Sequence, residues 1–113
     1  MTPLKTTLIV ASLLFTAQIS AEGEHSHDFP KEIMAFHHTM APLWHMDEGK
    51  ERTKLSCEAT DKMLALTKDI ANSESLAKAV TEMKVTCADK KADIQPGFKK
   101  IHDAFHKVSE QAK

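Results

Sequence analysis

Apolar side chains near the C-terminus of this chain recur at alternating intervals of three and four residues, at Phe98, Ile101, Phe105, Val108 and Ala112. Such intervals place side chains on one face of an α-helix, whereas a strand would alternate every second residue. Three earlier segments repeat the pattern, so the sequence predicts four amphipathic helices. The short connections between them favour an all-α fold, an antiparallel up-down-up-down four-helix bundle. The scarcity of glycine and of β-branched and aromatic residues also argues against an all-β fold.

The first predicted helix opens at Phe29-Pro30, where the missing N–H of proline costs nothing. Its inward face consists of Ile33, Phe36, His37, Met40, Leu43 and Trp44. Pro42 removes a backbone hydrogen bond and clashes with the preceding turn, so we expect a kink or a restart of the helix there. A turn at residues 46–49 follows.

The second predicted helix covers residues 50–71, and its apolar face consists of Leu55, Ala59, Met63, Leu66 and Ile70. Asn72-Ser73 forms the next turn, and both residue types are good caps for the third helix. The third helix reaches residue 91, and its apolar face consists of Leu76, Val80, Met83 and Cys87. After a turn at residues 92–95, Pro96 begins the fourth helix.

The two cysteines test this arrangement. Cys57 and Cys87 each lie fifteen residues from the predicted turn at residue 72, so an antiparallel hairpin brings them level. We therefore predict a disulfide, which would contribute on the order of 3–4 kcal/mol to stability. A thiolate metal ligand or a redox pair is the alternative, although no Cys-x-x-Cys motif is present.

Residues 1–21 have the pattern of a secretory signal peptide, with Lys5 before an apolar run at residues 8–15 and small residues up to Ala21. The run is shorter than the roughly 20 apolar residues that cross a bilayer. We expect cleavage after Ala21, a flexible His-rich tail at residues 22–28, and one domain at residues 29–113. The expected location is the periplasm, where a disulfide is the default state of two cysteines. No membrane segment is expected in the mature form.

Charge and motifs exclude several classes of function. The formal net charge of −1 does not favour nucleic-acid binding. No nucleophile elbow, phosphate-binding loop or triad-like pattern is present, so the sequence does not indicate an enzyme. A protein partner is not identifiable, and a homodimer is an open possibility because the apolar faces can close within one bundle or across two.

The seven histidines are concentrated in three places. His102 and His106 are four residues apart on the fourth helix, a spacing that lets two imidazoles bind one metal ion. Matching the midpoints of the antiparallel first and fourth helices, or following the turns through the two helices between them, places His102 level with residues 35–40 and His106 level with residues 31–36. His37 falls in or beside these ranges, and His45 would join if the chain folds back at Pro42.

We therefore predict a Cu or Zn site formed by His37, His45, His102 and His106, because neutral imidazoles suit both metals. Possible additional ligands are Met34, His38, His25 and His27. Met34 would serve if the metal is Cu(I), since thioethers favour that ion. Asp103 and Glu110 are candidates to orient the imidazoles through hydrogen bonds. Met40 is assigned to the apolar core.

Three segments carry a resemblance to a known group: Ala35-Phe36-His37, Ala41-Pro42-Leu43-Trp44-His45 and His102-Asp103-Ala104-Phe105-His106. They resemble small exported bacterial helical-bundle proteins of unassigned function. The resemblance covers most of the mature chain and implies no activity. It favours His37, His45, His102 and His106 over His38 as site residues.

Two alternatives to a metal ion remain open. Exported four-helix bundles of the cytochrome b562 and cytochrome c′ type are similar in architecture, and the former would imply haem b held by Met34 with His102 or His106. The Cys-x-x-Cys-His motif of covalent haem attachment is absent. The other alternative is an interaction protein that binds no metal and whose clustered histidines respond to pH, because imidazole titrates near pH 6.5.

Overall fold

The computed structural model describes residues 29–112. The helices of this region are α1 (Lys31–Trp44), α2 (Lys50–Glu58), α3 (Thr60–Thr67), α4 (Glu74–Cys87) and α5 (Gln95–Ala112). No strand occurs within it, so the predicted all-α class is confirmed. The predicted signal peptide and the tail that carries His25 and His27 lie outside the described residues. Among the described helices, none combines the length and the apolar character needed to cross a membrane.

The predicted second helix is wrong as a single element, because the structure divides it into α2 and α3 at Ala59. The Thr60 hydroxyl donates a hydrogen bond of 2.9 Å to the Cys57 carbonyl. Such bonding from threonine to its own helix competes with the regular backbone ladder and bends helices. The helical path therefore changes beside one of the cysteines.

The connection from α3 to α4 is held by Ser73, although not in the predicted way. Its hydroxyl donates to the carbonyls of Ile70 at 2.7 Å and Thr67 at 2.9 Å, closing the end of α3. It makes no capping hydrogen bond to α4. Asn72 adopts a positive φ of 57°, a conformation that asparagine tolerates better than most residues. The third predicted helix also ends earlier, at Cys87 instead of residue 91, because Asp89 N–H turns to the Thr86 carbonyl.

Pro42 neither interrupts α1 nor restarts it, which corrects the expectation of a break there. Pro42 lies in the last turn of the helix. Its missing N–H therefore removes one hydrogen bond near the end of the helix and disturbs little of the backbone. The helix ends at Trp44, and the N–H of His45 still bonds to the Ala41 carbonyl at 3.0 Å. Trp44 and His45 therefore reach the end of α1 in a continuous helical register.

Three helices supply most of the apolar core, at positions that the periodicity predicted, although His37 of the predicted inward face is exposed. The buried side chains are Ile33, Phe36 and Met40 from α1, Leu76, Val80 and Met83 from α4, and Phe98, Ile101, Phe105 and Val108 from α5. Phe36 stacks on Phe105 with ring centroids 5.3 Å apart, and Trp44 meets Phe98 edge to face at the same distance. These pairs show that α1 and α5 run in opposite directions, in the register predicted from the sequence.

The inward face of α2 and α3 differs from the predicted one. Arg52, Ser56, Thr60 and Thr67 are buried beside Met63, whereas Leu55, Ala59 and Leu66 are only half-buried. Those three apolar residues line a surface groove against Pro42 and Leu43 of α1. The prediction is confirmed for Met63 and Ile70, whereas at Leu55, Ala59 and Leu66 it was wrong by one residue, or about 100° around the helix.

The predicted disulfide joins Cys57 of α2 to Cys87 at the end of α4, with Cα atoms 5.8 Å apart. The bond spans 30 residues of sequence and closes the hairpin that the even spacing from residue 72 predicted. Cys57 is thereby turned toward α4, which leaves its neighbour Ser56 facing the core.

Candidate functional site

The four histidines of the predicted metal site line one cavity between α1 and α5, with a volume of about 270 Å³. Antiparallel packing makes this possible, since α1 ends where α5 is still in its first half. The lining residues are His37, Met40, Ala41, Trp44, His45, His102, Phe105 and His106. His45 reaches the cavity from the end of an unbroken α1, without the fold-back at Pro42 that the sequence required.

The imidazoles of His102 and His106 face each other on α5. Their Nε2 atoms lie 3.2 Å apart and their ring centroids 4.5 Å apart. Two nitrogens bound to one tetrahedral Zn²⁺ at 2.0–2.1 Å would be about 3.3 Å apart. The spacing of this pair is therefore the spacing that a shared metal ion needs.

Asp103 fixes the orientation of His102. Its Oδ1 lies 3.3 Å from His102 Nδ1, and its Oδ2 accepts a hydrogen bond of 2.8 Å from the Lys99 ammonium. The hydrogen bond from Lys99 and then that from His102 hold the pKa of the Asp103 carboxyl below its usual value. An ionised carboxylate can only accept, so His102 Nδ1 carries the proton and a neutral His102 presents the lone pair of Nε2. In that tautomer His106 Nε2–H donates to His102 Nε2, and a metal ion would take the place of this proton.

Trp44 covers the other side of the His102 ring. The two rings stack with centroids 4.2 Å apart and planes inclined by 15°. Phe98 meets the indole edge to face, and the Arg52 guanidinium lies over the same indole at 4.9 Å. The orientation of His102 is thus restrained by a carboxylate and by an aromatic stack.

His37 contributes an exposed imidazole from α1, 5.9 Å from the Phe105 ring between centroids. Partial burial, and then repulsion by His38, His45 and His106, lower the pKa of His37 from its usual value. His37 is therefore favoured in the neutral form, which is the form that binds metal ions.

Other predicted residues lie away from this cavity. His38 is exposed and lines the groove formed with Leu55 and Leu66 on the other side of α1. Met34 is half-buried and is not one of the residues that line the cavity. Glu110 is exposed on α5, and the orienting role falls to Asp103.

Three supporting residues were missed at the level of sequence. Met40 was assigned to the core, where it lies with 2% exposure, but it also lines the cavity. Trp44 was identified as apolar and not as a partner of His102. Arg52 was not singled out in the sequence, and only its position eight residues after Trp44, across a short turn, could have indicated a contact.

The side chains at this cavity are only partly arranged to hold a metal ion. Among residues 29–112, no three His, Cys, Asp or Glu side chains are grouped closely enough to hold a metal ion as they stand. A third ligand would therefore require a rotation of His37 or His45, which exposure permits, or a residue of another type. No protein-family model matches this sequence, and no curated protein or solved structure matches it.

Proposed function

We propose that this chain is an exported periplasmic protein that binds a copper or zinc ion between its first and last helices, for storage, delivery or sensing of the metal. The observation that carries the proposal is the pair of facing Nε2 atoms of His102 and His106, 3.2 Å apart. Asp103 occupies the position of the carboxylate that commonly orients a metal-bound imidazole.

Two histidines of α1 also support a metal site in this cavity. His37 and His45 line the cavity with His102 and His106, and both are exposed. An exposed imidazole can change rotamer at little cost, so either residue can turn toward an ion already held by the α5 pair. The lowered pKa of His37 removes a competing proton at neutral pH.

The proposed scaffold is an antiparallel four-helix bundle in which α2 and α3 act as one bent helix. In support, α3 packs against α1 and α4, and α5 packs against α4 and α1. This cyclic order of contacts is the one expected for an up-down-up-down bundle. Metal sites in such bundles are built from side chains on facing helices.

A second candidate is a pH-responsive interaction protein. The observation that favours it is the repulsion that His38, His45 and His106 exert on a protonated His37. Protonation of His37 on acidification would weaken the contact between α1 and α5. Metal binding and pH response share the same residues, so only a metal measurement separates the two candidates.

The test of the proposal is metal analysis of the exported protein, with and without added Zn²⁺ or copper. We expect about one ion per chain, and a rise in Tm on the order of 10 °C when the free ion is at a hundred times its Kd. His102→Ala and His106→Ala should lose both effects, whereas His38→Ala should retain them. A protein without bound metal and without a metal-dependent change in Tm would contradict the proposal, and a Soret band in its absorbance would favour haem instead.

A further inference from the structure

Arg52 lies in the first turn of α2. The residue is charged, yet only 5% of its surface is exposed. Its Cζ atom lies 4.9 Å from the centre of the Trp44 ring and 5.0 Å from that of Phe98. Its ion-pair partner Glu48 is 3.9 Å away and 70% exposed, so water screens the attraction. Within residues 29–112 the Nε atom of Arg52 has no hydrogen-bond partner. Arg52 is therefore a buried cation that is weakly neutralised.

This cation lies close to the candidate metal site. Trp44 contacts both Arg52, at 4.9 Å, and His102, at 4.2 Å, so the Arg52 Cζ is within about 9 Å of the His102 ring centre. The Trp44 indole lies between them and packs edge to face on Phe98, which Arg52 also contacts. Screening between Arg52 and an ion at His102 is consequently weaker than it would be at the surface.

Repulsion by a fixed positive charge depends on the charge of the bound ion. With an effective dielectric constant of about 20, a unit charge at this range lowers affinity by roughly tenfold for each elementary charge on the ion. A divalent ion is therefore disfavoured by roughly tenfold more than a monovalent one. Arg52 discriminates by charge without touching the ion.

The cavity itself adds a second form of selectivity. It is lined by four histidines, Trp44, Phe105, Ala41 and Met40, and Met40 is the residue among them that carries a thioether. All of these groups are neutral when the histidines are unprotonated. The Asp103 carboxylate beside His102 is itself paired with the Lys99 ammonium at 2.8 Å, so it offsets only part of the charge of Arg52. Thioether sulfur is a soft ligand that selects Cu(I) over Zn²⁺.

We infer that Arg52 and Met40 make this site selective for Cu(I) over Cu(II) and Zn(II). The inference rests on the proposed function, since it names the ion that the His102–His106 pair holds. Cu(I) carries a single charge, so Arg52 repels it less than it repels a divalent ion. Cu(I) also binds thioether sulfur, which Met40 contains. His102 and His106 supply two nitrogens, and Met40 supplies the sulfur.

The charge contribution is tested with Arg52→Met, which keeps an unbranched side chain against Trp44 and Phe98 but removes the charge. Cu(I) affinity is measured anaerobically in competition with a chromophoric Cu(I) chelator, and Zn(II) affinity in competition with a Zn(II) indicator. We expect the Cu(I)-to-Zn(II) affinity ratio to fall by about tenfold, mainly through tighter Zn(II) binding. An unchanged ratio would overturn the role of Arg52.

Glu48→Gln provides a second charge variant that changes only an exposed side chain, so its result does not depend on how Arg52→Met folds. Removal of the partial neutralisation should raise the Cu(I)-to-Zn(II) ratio by about threefold. A ratio that is lower or unchanged would count against charge selection by Arg52.

The thioether contribution is tested with Met40→Leu, a substitution of similar volume that a core tolerates. We expect Cu(I) affinity to fall at least tenfold and Zn(II) affinity to stay the same. Equal losses for both ions, or none, would show that Met40 only fills space.

The wild-type protein separates failure of this inference from failure of the proposed function. Preferential binding of Zn(II), lost in His102→Ala, would overturn Cu(I) selectivity and leave the metal site standing. Absence of binding for Cu(I), Cu(II) and Zn(II) would overturn both.

Discussion

The indole of Trp44 lies flat against the imidazole of His102, with ring centroids 4.2 Å apart and planes inclined by 15°. Trp44 is the last residue of α1 and His102 lies in the first half of α5, so the stack joins the two helices at the candidate site. On the same imidazole, Nδ1 bonds to Asp103 and Nε2 faces His106. The fold thus restrains His102 with its Nε2 atom directed at the Nε2 atom of His106.

Trp44→Leu should weaken metal binding without removing a ligand. The variant loses the stack, so His102 must be ordered by the ion itself, at a cost of about 0.5–1.5 kcal/mol, or up to roughly tenfold in Kd. Zn²⁺ titration against an indicator measures the change. Trp44→Phe keeps an aromatic ring and should bind nearly as well as the wild type, and equal affinity in the leucine variant would contradict the positioning role.

Phe36→Ala should be among the most destabilising single substitutions in the chain. Phe36 is fully buried and stacks on Phe105, so its removal leaves a cavity where α1 meets α5. We expect the free energy of unfolding to fall by about 3–5 kcal/mol, measured by urea denaturation. Val85→Ala, at a side chain that is 70% exposed, is the matched control and should change stability by about 0.5 kcal/mol or less.

The buried face of a helix can be predicted from the sequence where apolar residues clearly dominate one side of that helix. On α5 the large apolar residues Phe98, Ile101 and Phe105 all lie on one side, so only that side can face the core. All three are buried, and the prediction is confirmed. On α2, the leucine at position 55 suggested the inward face, yet Arg52 and Ser56 are buried instead. The disulfide accounts for the difference, because it turns Cys57 toward α4 and so sets the rotation of the helix. Periodicity does not show such a tertiary constraint.

The candidate site also combines features that the sequence shows with features that depend on packing. The spacing of His102 and His106 is a local property of one helix, and it is visible in the sequence. The contacts of Trp44 with His102 and of Arg52 with Trp44 join separate helices, and they depend on rotations that only packing determines. Supporting residues were therefore harder to predict than the candidate ligands.

Reduction of the Cys57–Cys87 disulfide should lower the free energy of unfolding by about 3–4 kcal/mol, because the bond closes a loop of 30 residues in the unfolded chain. Urea unfolding with and without dithiothreitol measures the effect, and the Cys57→Ser, Cys87→Ser double variant should match the reduced protein. A difference below about 1 kcal/mol would show that packing alone holds the α2–α4 hairpin.

In the metal-free protein, His37 should titrate below its usual pKa of 6.5, because burial and then His38, His45 and His106 oppose its protonation. Between 6.5 and the lower folded pKa, the unfolded chain binds more protons than the folded one. The free energy of unfolding therefore falls as pH drops through that window and levels off below it. NMR titration of the His37 ring checks the shift. His38→Gln should raise this pKa, and a wild-type value at or above 6.5 would show that the repulsion is absent.

The proposed function requires that the Nε2 atoms of His102 and His106 bind one metal ion. Long-range ¹H–¹⁵N correlation spectra of the histidine rings, recorded before and after addition of Cu(I) or Zn(II), test it most directly because both ions are diamagnetic. We expect the Nε2 signals of His102 and His106 to shift together to metal-bound values at one ion per chain, while His102 Nδ1 keeps its proton. Spectra in which both Nε2 signals stay in place while His38 or the tail histidines shift, or in which His102 binds through Nδ1, would contradict it.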